Sequence, residues 1–214
     1  MDIKAKIIDI RSTDPTGDFA FFVDTNAWYW MTYTRASTKG LQAPEKHQLE
    51  QYLRFIKKAR EAGSSIYRCS LSFAELAHRI EVCERQICSL YRRGGAVIKS
   101  KAFRHDAAER PNVLAEIEGS WEQVKSMSES ISLPVDDGAA TEAMTLLKAC
   151  AVDGYDAFHV QALQRGNLTA VLTDDADFAT IPGIAVLTGN LGLLGQATRE
   201  GHLKDGKEYF APKN

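Results

Sequence analysis

Residues 19–28 read FAFFVDTNAW, five apolar positions without a break and then an acid. An unbroken apolar run of this length fits a strand buried on both faces, which puts Asp24 just past its carboxyl end. Residues 168–173 (LTAVLT) repeat the arrangement, and the acids Asp174, Asp175 and Asp177 follow in TDDADF. Residues 66–71 and 184–188 (IAVLT) read as two further strands, the second after a turn at Pro182 and Gly183.

Between these runs the apolar period becomes helical. Leu49, Tyr52, Leu53 and Ile56 form a stripe in a helix expected over residues 45–62. Leu76, Ile80, Cys83, Ile87 and Leu90 form a second stripe that stops at Gly94 and Gly95. Ala140, Ala143, Met144, Leu147 and Cys150 form a third, and a shorter helix runs from about Tyr155 to Gly166. Strands alternating with helices predict an α/β fold with a mostly parallel central sheet and helices on both faces. Residues 1–18 carry the alternation Ile3, Ala5, Ile7, which fits an extra edge strand. Residues 92–135 read as a helical elaboration with Pro111 near a helix start, and residues 189–214 as a tail. One domain over residues 1–214, with its core at about 19–188, is the expectation.

The 214 residues are 44% hydrophobic and 25% charged with a formal net charge of −2, a balance foreign to disordered chains. No apolar run reaches the roughly 18–20 residues that span a bilayer. The opening MDIKAKIIDIRS lacks the apolar core of a secretion signal, so a cytoplasmic protein without membrane contact is expected. Cys69, Cys83, Cys88 and Cys150 form no CxxC pair and the histidines no HExxH, so free thiols are expected and a structural zinc site is not.

The acids carry the chemistry. Glu75 follows the second strand in SFAEL, and Asp156 opens the helix DAFHVQAL. In an open parallel sheet, residues beyond the carboxyl ends of the strands face a common crevice, where these acids would meet Asp24 and those of TDDADF. So many like charges require a counter-charge. Oxygen ligands without Cys or His select Mg²⁺ or Mn²⁺ over zinc. Such ions acidify water and neutralise a phosphodiester oxygen during in-line displacement, so metal-dependent phosphodiester hydrolysis is the expected reaction.

VDTNAW, SFAEL, DAFHVQAL and LTDDADF, in this order and followed by IPGIAVLT, resemble the PIN-domain nucleases, especially the VapC-type ribonuclease toxins of toxin–antitoxin pairs. The resemblance covers roughly residues 19–90 and 138–188. It implies a PIN-like α/β/α sandwich whose Mg²⁺ or Mn²⁺ is held by Asp24, Glu75, Asp156 and Asp175. Asp177 would make a further metal contact, and Asp174 would stand outside. Asn26 matches the family's DTN, and Thr173 would orient Asp24. An RNA substrate, a small antitoxin partner and a homodimer are further implications. A DNA nuclease of flap type and a non-catalytic PIN module that binds RNA or acts as a scaffold are the alternatives.

Several of these residues have structural readings too. Ser72 and Glu75 have the spacing of a helix capping box, and Asp153 suits a helix cap while Asp156 is left for metal. Glu75 with His78, and Asp156 with His159, have the acid-to-imidazole spacing of di-iron helical bundles, which the strand-like runs argue against. Arg85, Arg92, Arg93, Lys99, Lys101 and Arg104 fall in a stretch without an acid. Arg92, Arg93, Lys99, Lys101 and Arg104, with His159 as a phosphate contact, are the candidate RNA-backbone residues. Setting aside the five proposed site acids turns the net charge of −2 into +3, so an acidic pocket beside a basic rim is expected.

Overall fold

Short strands place alternate residues on opposite sides, and here both sides are apolar. Phe21 and Val23 face one side and Phe22 the other, and Ile8 and Ile7 divide in the same way. The computed structural model describes residues 1–36 and 46–211, so Glu45, the expected start of the first helical stripe, lies outside them.

The strands among the described residues are β1 (Lys6–Asp9), β2 (Ala20–Val23), β3 (Ser65–Cys69), β4 (Glu129–Ile131), β5 (Ala170–Leu172), β6 (Ala185–Thr188) and β7 (Leu203–Lys204). They form one sheet in the order β4-β3-β2-β5-β6-β1-β7, and every pairing is parallel. Parallel neighbours require crossovers, which the helices supply. Those over β2–β3–β4 are α1 (Thr25–Thr32), α2 (Lys46–Glu61), α3 (Ser70–Tyr91), α4 (Ser100–Arg104) and α5 (Arg110–Met127). The return to β5 and the end of the chain use α6 (Asp137–Ala149), α7 (Gly154–Arg165), α8 (Leu191–Glu200) and α9 (Gly206–Tyr209).

Two apolar cores follow, one on each face. Trp28, Tyr52, Phe55, Leu76 and Ile80 pack on Phe21, Val23 and Leu172. Val160, Leu163, Leu193 and Leu194 pack on Phe22, Val171 and Val186. The α/β/α arrangement expected from the sequence is therefore present, and a helical bundle is excluded. In α2 the buried stripe is Tyr52, Phe55, Ile56 and Ala59, whereas Leu53 turns to solvent.

Three details depart from expectation. β1 is not an edge strand, because β7 from the tail pairs with its outer side. Helix α3 begins at Ser70 with Cys69 as its N-cap, and Ser72 rather than Glu75 reaches back to the Cys69 backbone. The capping box is thus shifted by three residues, and Glu75 lies in the second helical turn with its carboxylate uncommitted to the helix end. Third, α1 occupies the segment directly after Asp24, whose side chain caps it by accepting from Thr25 N at 2.7 Å. No described helix is long and apolar enough to cross a membrane.

The chain runs from β2 outward through β3 to β4 and then returns to β5 on the other side of β2. The carboxyl ends of β2 and β5 therefore flank a topological switch point, the place where an open α/β sheet leaves a crevice.

Candidate metal centre

At this switch point the chain leaves the ladder with Asp24 after β2 and Thr173 after β5. Asp24 N still donates to Leu172 O at 3.0 Å, which fixes both backbones relative to each other. The Thr173 hydroxyl donates to Asp24 Oδ2 at 2.8 Å. It accepts from Asn26 Nδ2 at 3.1 Å and from Asp175 N at 2.9 Å. One donor and two acceptor sites are all a hydroxyl has, so Thr173 is saturated and ties Asp24, Asn26 and Asp175 together. Asn26 Oδ1 in turn accepts from Asp174 N at 3.1 Å.

Helix α7 delivers Asp156 and His159, one turn apart and so on one face. Asp156 forms a capping box with Asp153: its Oδ2 accepts from Asp153 N at 3.2 Å, and Asp153 Oδ1 accepts from Asp156 N at 3.0 Å. The His159 ring is completely buried, with Nδ1 3.1 Å from Asp24 Oδ1. One ligand atom each from Asp24, Asp156 and His159 lies within 4.8 Å of the others, and all three residues are buried. Glu75 comes from α3 and puts Oε2 at 4.0 Å from His159 Nε2. Both of these atoms are buried and have no hydrogen-bond partner among the described residues. Arg79, one turn further along α3, has Nη1 3.6 Å from Glu75 Oε1 and its guanidinium over the Tyr29 ring.

The electrostatics are those of crowded acids. Burial works against the charge of Asp24, but the bonds from His159, Thr173 and Thr25 hold its carboxyl below the usual range. Burial, then the charges of Asp24 and Asp153, push Asp156 up to about 8. Glu75 is raised by burial and by Asp24, and Asp175 by burial and, less strongly, by Asp24 and Asp177. Burial opposes charge on His159, yet Asp24 and the neighbouring Cys69 thiol raise its pKa well above the ordinary value. Three carboxyls driven toward the neutral form, beside two orphaned buried polar atoms, are what a divalent cation would relieve. The donor set fits such a cation.

Asp175 caps a short 3₁₀ turn (Ala176–Thr180) by accepting from Asp177 N at 2.9 Å, and Asp177 itself is exposed at the rim. Asp174 turns away: Tyr52 Oη donates to its carboxylate at 2.8 Å and accepts from Gly189 N at 3.0 Å. Tyr52 thereby pins the loops after β5 and β6, a role its place in an apolar stripe did not disclose.

The expected RNA-backbone residues are arranged differently from their reading in sequence. His159 is enclosed, so it is no surface phosphate contact; its hydrogen bond to Asp24 accounts for its burial. Arg92 pairs with Glu109, Arg93 with Asp106 and Arg104 with Glu81. The acid-free stretch is thus neutralised by acids on either side of it, and the basic rim is weaker than the sum of charges implied. Lys99 and Lys101 are exposed. Arg104 docks on Glu81, about 9 Å along α3 from Glu75, while Arg92 is about 25 Å away, at ~1.5 Å per residue. All four cysteines are free thiols.

The sequence matches no protein-family model and no curated protein. Among solved structures, the chain is similar to one in the crystal structure of VapBC2 from Rickettsia felis bound to a DNA fragment from their promoter. That similarity has a TM-score of 0.46 at 13% sequence identity, over 79% of this chain and 98% of the other.

Proposed function

We propose that the chain is a metal-dependent endoribonuclease of PIN type that hydrolyses RNA phosphodiester bonds, acting as the toxin of a VapBC-type toxin–antitoxin pair. One observation carries the reading. Asp24, Asp156 and His159 offer ligand atoms within 4.8 Å of one another at the carboxyl ends of parallel strands, with Glu75 beside them. The four-motif resemblance, VDTNAW to LTDDADF, supplies the reaction class.

A bound Mg²⁺ or Mn²⁺ would acidify the attacking water and offset charge gathering on the phosphodiester. Asp24, Asp156 and Asp175 would hold the ion, with Asp177 contributing from the rim. Thr173 and Asn26 keep Asp24 oriented by the bonds described above. Glu75, with Oε2 uncommitted, binds the ion or positions the attacking water. Exposed Lys99 and Lys101 would hold the RNA backbone. Products would end in a 5′-phosphate and a 3′-hydroxyl, and a small antitoxin and a second copy of the chain are the expected partners.

The test uses purified full-length protein with Mn²⁺ and single-stranded RNA. Cleavage is expected, and Asp24→Asn should abolish it with the circular dichroism spectrum preserved. Cleavage unaffected in Asp24→Asn/Asp156→Asn would sink the site assignment. RNA retarded in a gel but left intact would make the chain a binding module, and cleavage confined to DNA flaps would make it the other nuclease.

A further inference from the structure

We propose that His159 is itself a metal ligand, giving the centre a nitrogen donor through Nε2, so that it favours Mn²⁺ or Zn²⁺ over Mg²⁺. The inference rests on the metal centre proposed above and is independent of the identity of the nucleic acid.

The geometry of the ring supports it from both ends. Nδ1 lies 3.1 Å from Asp24 Oδ1. A carboxylate oxygen can only accept there, so Nδ1 carries the hydrogen and the bond sets the ring's rotation. Metal-binding imidazoles are held in this way, with the far nitrogen bonded to a carboxylate and the near one turned to the ion. Among the described residues Nε2 has no hydrogen-bond partner although the ring is fully buried beside the Cys69 thiol, and Glu75 Oε2 across from it has none either. Their separation of 4.0 Å is within reach of two bonds of about 2.1 Å to one cation. Asp156 stands one helical turn before His159 on α7, and one of its carboxylate oxygens lies within 4.8 Å of an imidazole nitrogen of His159.

Asp24 is constrained in the complementary sense. Its Oδ1 already accepts from Thr25 N and from His159, and its Oδ2 accepts from Thr173. One lone-pair direction on Oδ2 remains for the ion, and His159, oriented by Asp24, adds a second donor. A site of this composition differs from the all-oxygen set read from the sequence. Mg²⁺ demands oxygen ligands in a near-ideal octahedron, whereas imidazole suits Mn²⁺ less reluctantly and Zn²⁺ well.

The test is spectroscopic and uses the full-length protein loaded with Mn²⁺. Pulsed electron paramagnetic resonance should detect nitrogen coupling to the bound ion, and the coupling should vanish in His159→Gln. Calorimetric titration should show about tenfold or greater loss of Mn²⁺ and Zn²⁺ affinity in that variant, with Mg²⁺ affinity changed less than about threefold. Bound Mn²⁺ without nitrogen coupling in the unmodified protein overturns the inference, and so does coupling that persists in His159→Gln. The first measurement needs no variant, so a folding failure of His159→Gln leaves it decisive. RNA cleavage without nitrogen coupling overturns this inference alone, coupling without cleavage overturns only the nuclease reading, and absence of Mn²⁺ binding overturns both.

Discussion

Thr173 lies 149 residues downstream of Asp24, and its hydroxyl donates to Asp24 Oδ2 at 2.8 Å. Thr25 N fixes Oδ1 locally, whereas the bond to Oδ2 joins the ends of two neighbouring strands. Thr173→Val keeps the shape and deletes the bond. It also strips Asn26 Nδ2 and Asp175 N of their acceptor, at about 1–3 kcal/mol for each buried group left unpaired. Mn²⁺ affinity measured by calorimetry is expected to fall about 10–100-fold, the range for lost supports of metal ligands. Unchanged affinity would show that Asp24 needs no orientation from β5.

Asp156 predicts an exchange of stability for function. Its carboxyl is buried next to Asp24, Asp153 and Asp175, all of which disfavour its charge. Asp156→Asn is expected to raise the melting temperature of EDTA-treated protein by a few degrees, about 2–4 °C per kcal/mol at this length. The same variant should lose the further rise that Mn²⁺ gives the unmodified protein. A variant that melts lower without metal would mean that Asp156 holds the fold through its capping box alone.

Tyr52 is expected to govern the mobility of two loops. Its hydroxyl donates to Asp174 and accepts from Gly189 N. In Tyr52→Phe the Gly189 amide loses its partner, and its hydrogen-exchange protection should drop about tenfold, equivalent to ~1.4 kcal/mol. Amides of the outer strand β4 should keep theirs, and a uniform loss across the sheet would point to global destabilisation instead.

The ion pairs that dock α4 give a pH dependence. The Arg104 guanidinium bonded to Glu81 holds this carboxyl below its ordinary value; burial opposes the shift, and Arg110 from α5 and His78 on α3 reinforce it. A carboxyl lowered in the folded state stabilises above its unfolded pKa of roughly 4.3, and that contribution is lost as pH falls through the folded value. Protection of α4 amides, corrected for intrinsic exchange, should therefore be constant near neutrality and decline below about pH 4. Glu81→Gln should remove the decline, and a decline of the same size in that variant would assign it to another group.

The parallel sheet and its acids were legible because continuous apolar runs ending in Asp, or leading into Glu75, are physical signatures of buried strands and their crevice. Helix α1 was not legible. Thr25–Thr32 holds aromatic and β-branched residues with poor helix propensity, and it folds because Asp24 caps it and Trp28 is buried. β4 and β7 have only three and two residues, too few for any period to register. From sequence His159 reads as a phosphate contact, because its neighbour Asp156 is in view there and Asp24, 135 residues away, is not. The basic stretch misled for the same reason: its neutralising acids, Glu81, Asp106 and Glu109, stand just outside the window in which no acid occurs.

The placement of β1 has a consequence for how the protein is made. Its first strand pairs with β6, Lys6 opposite Ala185, and with β7 beyond it. During synthesis β1 must wait for residues 185–188 before it has a neighbour, and Asp24 must wait almost as long for Thr173. Such long-range closure is slow, because loop entropy is lost before the contacts that repay it exist. A nascent chain on the ribosome therefore carries all of the early acids and none of their assembled arrangement. Asp24 and Glu75 are thus synthesised long before the strand end that completes their crevice.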